Sequence, residues 1–188
     1  MGPKMVKACG LVLVGAAIAA MSAAAAQGFK SDSIVQERQQ DMKAMAAAAK
    51  SISAMFNGTS PYDAKAFKAA AETVKAHSGA LLSSLFDGPV VAGSKASSNI
   101  AAERQTFDKL AVDLGVYASA LAVAADRNPD VLSPEMRMQG GDVLMGGPLA
   151  KKRTAAQDVS SMAAEHAFHL MLQTCTSCHA KFRVQDEK

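Results

Sequence analysis

Cys175-Thr176-Ser177-Cys178-His179, followed by Ala180-Lys181-Phe182-Arg183, lies within the last fourteen residues of the chain. A Cys-x-x-Cys-His run is the pattern by which two thiols form thioether bonds to a haem while the adjacent histidine binds its iron. On a helix, positions three and four apart share a face, so Cys175, Cys178 and His179 point the same way. Two thioethers hold the porphyrin edge and keep the iron over the imidazole, so few other residues are needed to retain the group. His179 Nε2 is the expected iron ligand, with Nδ1 left to donate a hydrogen bond that tunes its basicity. The expected cofactor is one covalent haem c.

Two other chemistries use such a pair. A thioredoxin-like dithiol sits at a helix start beside a βαβ unit, and no such unit is visible. A zinc site needs a fourth ligand, for which His166 or His169 is available, but a second cysteine pair is missing. Both stay open as the weaker readings.

The rest of the chain points to helices. No Trp and only two Tyr among 188 residues, with abundant Ala, argue against a sheet, whose pleated faces need branched and aromatic side chains. The N-terminus reads as a secretory signal peptide over residues 1–26. Lys4 and Lys7 form its charged region, Ala8 to Met21 its apolar stretch, and Ala24 and Ala26 its small-residue cleavage site. The rival is an uncleaved anchor, since the apolar run from Ala8 to Ala26 approaches the ~20 residues that span a bilayer. Cleavage removes Lys4 and Lys7 and no acid, so the formal charge falls from +3 to +1. That is too near neutral for nucleic-acid binding or strong attraction to a membrane surface. It also discards Cys9. A disulfide between Cys175 and Cys178 would constrain almost none of the fold, so the pair is read as chemistry.

Residues 27–188 read as a four-helix domain with an insert. Ile34, Met42, Met45, Ala49, Ile52 and Phe56 recur at helical spacing and predict a first helix from about Ser31 to Phe56, closed by Asn57-Gly58. Ser60 as N-cap, with Pro61 in the first turn, predicts a second helix carrying Phe67, Ala70, Val74, His77, Leu81 and Leu85 inward as far as Asp87-Gly88-Pro89. A third runs from near Ser98-Asn99 to Asn128, with Ile100, Phe107, Leu110, Leu114, Tyr117 and Leu121 inward. The insert, about 128–153, is rich in Gly and Pro. Its Met136, Met138, Leu144 and Met145 are too apolar for a purely solvated linker, and a short helical turn is expected near Pro134 to Gln139. The last helix is expected from about Thr154 to Arg183, with Val159, Met162, His166, His169 or Leu170, and Gln173 inward. The fold class is all-α: an antiparallel four-helix bundle with covalent haem on its C-terminal helix.

A C-terminal Cys175-x-x-Cys178-His179 on the fourth helix of an exported bundle resembles the cytochrome c′ family, the class II cytochromes c. The resemblance extends through Arg38-Gln39-Gln40-Asp41-Met42-Lys43-Ala44-Met45, Pro61-Tyr62-Asp63-Ala64 and Ser94-Lys95-Ala96. It implies that Arg38 pairs with a haem propionate, that Met42 occupies the sixth position of the iron, and that Arg183 lies near the proximal imidazole with Phe182 beside it. The bland readings are a solvated charge for Arg38, a core residue for Met42 and a helix-end cation for Arg183. His77, His166 and His169 are expected to be packed or boundary residues.

Met42 then decides the function. Sulfur ligation gives a His/Met haem suited to electron transfer, and the expectation is a periplasmic electron carrier with Met42, rather than Met45, on the iron. The alternative is a five-coordinate haem protein that binds nitric oxide or another small gas. A third reading is a structural subunit whose insert docks on a redox partner. No nucleophile–base set is evident, so no enzymatic activity is expected. A redox partner protein is implied, and similar family members form antiparallel homodimers. After signal cleavage no membrane association is expected.

Overall fold

Alanine carries the lowest cost of any residue in a helix, and the named elements of the Ala-rich chain among the described residues are all helices. The computed structural model describes residues 12–139, 159 and 162–184, with side chains from residue 33 on. α1 (Val12–Phe56) is continuous and starts well before the expected Ser31, because the Ala-rich segment from Val12 to Lys30 contains no proline. The leader expected over residues 1–26 lies outside the residues whose side chains are described. Among the described residues no helix is long and apolar enough to cross a membrane. Gly58, at φ +77°, closes α1 in the left-handed conformation a C-terminal cap needs.

α2 (Ala64–Ala76) starts later than the Ser60-Pro61 signal predicts. Its N-cap is Asp63, whose carboxylate accepts the Ala66 N–H at 2.8 Å. The second predicted helix is also split. Ser78 Oγ donates to the Lys75 carbonyl at 2.7 Å, Gly79 turns through φ +62°, and α3 (Gly79–Ser84) restarts on a new phase. The reset turns Leu81 outward, at 67% exposure, and buries Leu82 instead. Ser78 sits so close to Gly115 that a Cβ there would lie 2.6 Å from its Oγ.

α4 (Asn99–Ala102) and α5 (Arg104–Arg127) replace the single third helix, parted at Glu103, whose φ of −124° and ψ of 42° are not helical. Of the expected inward set, Ile100, Phe107, Leu114, Tyr117 and Leu121 are buried and Leu110 is half-buried. The insert has its short turn, a 3-10 helix over Pro134–Met136 with Met136 buried. Leu144 and Met145 lie outside the described residues. α6 (Ala164–Phe182) begins ten residues after the expected Thr154. Ala163 is still extended there, and Glu165 in the first turn accepts the Met138 N–H at 2.8 Å, which ties the insert to the helix start. The buried stripe of α6 is Ala164, Ala167, Phe168, Met171, Thr174 and Phe182. Gln173, expected inward, is exposed, because burying Phe168, Met171 and Phe182 together fixes the helix one step round.

α1 packs on α2, α2 and α3 pack on α5, and α5 packs on α6, whereas α1 and α6 share a less extensive contact. One end of the bundle is filled where Phe56 meets Phe67 edge-on, with ring centroids 5.4 Å apart, and Phe168 at 5.6 Å. Ile100, Phe107 and Phe182 form a separate cluster. The slot between α1 and α6 lies between these two packed regions.

The split second helix depends on the left-handed backbone at Gly79. Gly79→Ala meets no neighbouring atom, yet a Cβ in that conformation costs roughly 1–2 kcal/mol. Chemical denaturation should show that loss for Gly79→Ala and almost none for Gly88→Ala, where no such backbone is required.

Candidate cofactor site

The slot has two lobes. One, of about 390 Å³, is walled by Met42, Met45, Ala46 and Ala49 of α1, by Leu82, Leu110 and Leu114, and by Phe168, Met171, Thr174, Cys175, Cys178 and His179 of α6. The other, of about 360 Å³, is walled by Arg38, Met42 and Lys43 of α1, by Phe86, Ser94, Lys95, Ile100 and Phe107, and by Cys178, His179, Phe182 and Arg183. Both volumes are in the range of ligand clefts. Met42, Cys178 and His179 line both, so the lobes meet where the motif faces Met42 across the bundle. A larger groove of about 600 Å³ on the outer face of α5 holds no cysteine or histidine, and the chemistry places the site in the slot.

The helical spacing puts Cys175 and Cys178 half-buried on one wall, as free thiols. Burial pushes the Cys175 thiol up. It pushes Cys178 to about 11, with the neighbouring Cys175 adding to the shift. Both thiols are therefore protonated at neutral pH. Burial, then the positive charge of Arg183, holds His179 below the ordinary histidine value, so its imidazole is neutral and has a lone pair for a metal. Among the described residues no cluster of three His, Cys, Asp or Glu could hold a metal by itself, so the zinc reading finds no ligand set there. His166 is half-buried and His169 exposed, and neither lines a lobe. His77 pairs with Asp41 at 3.0 Å.

Arg38 is the least expected environment in the site. Its side chain is buried, with 7% exposure. Nε donates to the Leu85 carbonyl at 2.8 Å, Nη1 to Ser94 Oγ at 3.4 Å, and the guanidinium lies 4.3 Å over the Phe86 ring. Every one of these partners is uncharged. Burial alone lowers its pKa, and among the described residues it has no ion pair. A buried cation without an anion is strongly disfavoured, and a guanidinium has five N–H donors, not all of them used here. A carboxylate entering this lobe would meet the missing charge. Two half-buried thiols, a neutral imidazole and this guanidinium on the walls of one slot fit a haem with its carboxylates toward Arg38.

Sequence reasoning did not find Leu85 O, Phe86 or Arg104 as parts of this arrangement. Arg104 carries one legible signal, its i,i+4 relation to Asp108, with Nε 2.7 Å from the carboxylate. The grip of Arg38 on a backbone carbonyl 47 residues away leaves no mark in the sequence.

A family model described as cytochrome C′ matches residues 33–141. That stretch ends before Cys175, so the motif is an observation independent of the match. Among curated proteins, none matches the chain. Among solved structures, cytochrome c′ from Thermochromatium tepidum is 24% identical with a TM-score of 0.57, covering 82% of this chain and 97% of that one. The nitric oxide complex of a variant of cytochrome c prime from Alcaligenes xylosoxidans is 23% identical with a TM-score of 0.57, covering 83% and 97%. A cytochrome c′ with a ligand-controlled dimer dissociation is 19% identical with a TM-score of 0.57, covering 82% and 97%.

With two attachment points, either cysteine alone should retain the cofactor. Cys175→Ser and Cys178→Ser should each keep haem on the chain through a denaturing gel, and the double variant should lose it, as read by haem staining.

Proposed function

The chain belongs to the cytochrome c′ family, whose members bind a covalent c-type haem, and from that premise we propose that it is an exported haem c protein that binds a small neutral gas such as nitric oxide. Cys175 and Cys178 would tether the group through thioethers, and His179 would hold its iron from the α6 side. Arg38 would take a propionate at the buried end of the slot, and Arg183 would add positive charge beside the imidazole. When bound, the haem would supply an iron that changes oxidation state by one electron and can take up a diatomic ligand.

The observation that carries the choice of ligand is the chemistry of the lobe of about 390 Å³. Met42, Met45, Ala46, Leu110 and Leu114 wall it together with His179. The Thr174 hydroxyl, also on the wall, donates to the Leu170 carbonyl at 2.9 Å. Lys50 and Ser53 lie two to three turns further along α1 than Met42, roughly 12 Å or more at 1.5 Å per residue. Polarity and hydrogen-bond donors on the distal side favour oxygen binding and activation. A lobe with apolar walls and small alanines instead suits a neutral gas that needs no donor. The nitric oxide complex of the Alcaligenes xylosoxidans relative supports the same choice.

The second reading is the electron carrier with Met42 on the iron. It is favoured by one observation, that Met42 lines both lobes together with His179. In either reading the protein acts by binding and one-electron change, without bond-making on a substrate. It would work in the periplasm with a redox partner protein, and the dimer named for a structural relative makes a homodimer part of the proposal.

The two readings separate in an absorption spectrum of the reduced protein. Gas binding predicts prompt formation of an adduct with carbon monoxide, and a Met42→Ala spectrum close to that of the parent protein before gas is added. A low-spin spectrum unmoved by carbon monoxide, converted to a gas-binding one by Met42→Ala, would establish the electron carrier instead.

A further inference from the structure

α3 has six residues, too few to stand as an independent helix, and the turn that follows it closes through the Phe86 N–H to the Ser83 carbonyl at 3.0 Å. Two arginines from other helices also bond the carbonyls of this turn. Arg104 of α5 donates through Nη2 to the Ser83 carbonyl at 3.0 Å and to Ser83 Oγ at 2.6 Å, and through Nη1 to the Phe86 carbonyl at 3.3 Å. Arg38 of α1 takes the carbonyl between these, that of Leu85. Arg104 is in turn oriented by Asp108 at 2.7 Å and Asp87 at 2.6 Å, and Asp108 also accepts from the Ser83 hydroxyl. The rings continue the connection, with Phe86 under the Arg38 guanidinium and 5.2 Å from Phe107.

Arg104 lines neither lobe of the slot. We propose that it is a positioning residue: by fixing the turn Ser83–Asp87 it fixes the Leu85 carbonyl, and that carbonyl holds the Arg38 guanidinium at the end of the slot. The inference rests on the reading that Arg38 faces a haem carboxylate. As a mere ion pair Arg104 would matter little, since Asp87 and Asp108 are 64% and 45% exposed and exposed pairs contribute little to stability. Its effect lies in the planar fork, which reaches the carboxylates and the two carbonyls at once. A lysine has no such fork.

The test is the reduction potential of the haem-loaded protein, measured with its thermal midpoint for Arg38→Ala, Arg104→Ala, Arg104→Lys and the double alanine variant. Loss of a cation beside the haem disfavours the reduced form, so Arg38→Ala should lower the potential. Arg104→Ala should lower it comparably, and the double variant should go no lower than Arg38→Ala alone, which is the non-additivity of residues acting as one unit. Arg104→Lys keeps the charge and loses the fork, so it should behave like Arg104→Ala. A parental potential in both Arg104 variants, with only the thermal midpoint lowered, would overturn the inference, as would shifts that add fully to that of Arg38→Ala. An unmoved potential in Arg38→Ala would remove the reading of Arg38, and the role of Arg104 with it.

Discussion

The site depends on one constraint of the bundle: α1 and α6 meet at Phe56 and Phe168 but stand apart between Met42 and the cysteine motif. Antiparallel helices with apolar stripes ordinarily come together and bury them. Here the stripe of α1 at Met42, Met45 and Ala49 and the stripe of α6 at Met171, Cys175 and Cys178 face each other across the slot. Apolar walls left apart are unfavourable in water, and the arrangement is reconciled when a flat apolar group fills the slot. The aromatic contacts of Phe56, Phe67 and Phe168 fill one end of the bundle and those of Phe86, Phe107 and Phe182 the other, with the slot between them.

The same constraint explains the charge at the slot's end. Arg38 is buried among uncharged partners, an arrangement a closed bundle could not sustain. Its position is fixed from outside the slot, by the end of α3 and by Ser94. The loop that supplies Ser94 is tied to the residues after the motif, through Ser97 N–H to the Phe182 carbonyl at 2.9 Å and Val184 N–H to the Lys95 carbonyl at 2.8 Å. The helix bearing the cysteines, the loop and Arg38 therefore form one connected frame around the cofactor.

What the sequence makes legible follows from which interactions are local. The motif, the all-α class and the inward positions of α5 are set by spacing along a single helix, and they are readable. The last helix is less so: its start depends on Glu165 meeting Met138 across the insert, and its rotation on which of several apolar stripes the partners accept. Leu81 and Leu82 exchange places because of one glycine in a left-handed conformation. Of the site, Cys175, Cys178, His179, Arg38 and Met42 are found from residue type and resemblance. Leu85 contributes only a backbone oxygen, and Phe86 and Arg104 act through contacts between helices, which no spacing rule encodes.

In the gas-binding reading Met42 is a wall of the lobe rather than a ligand. Iron-edge X-ray absorption of the reduced protein counts the atoms bonded to the metal and tells sulfur from nitrogen directly. Nitrogen neighbours only are expected, four from the porphyrin and one from His179. A sulfur neighbour would contradict that reading and put Met42 on the iron.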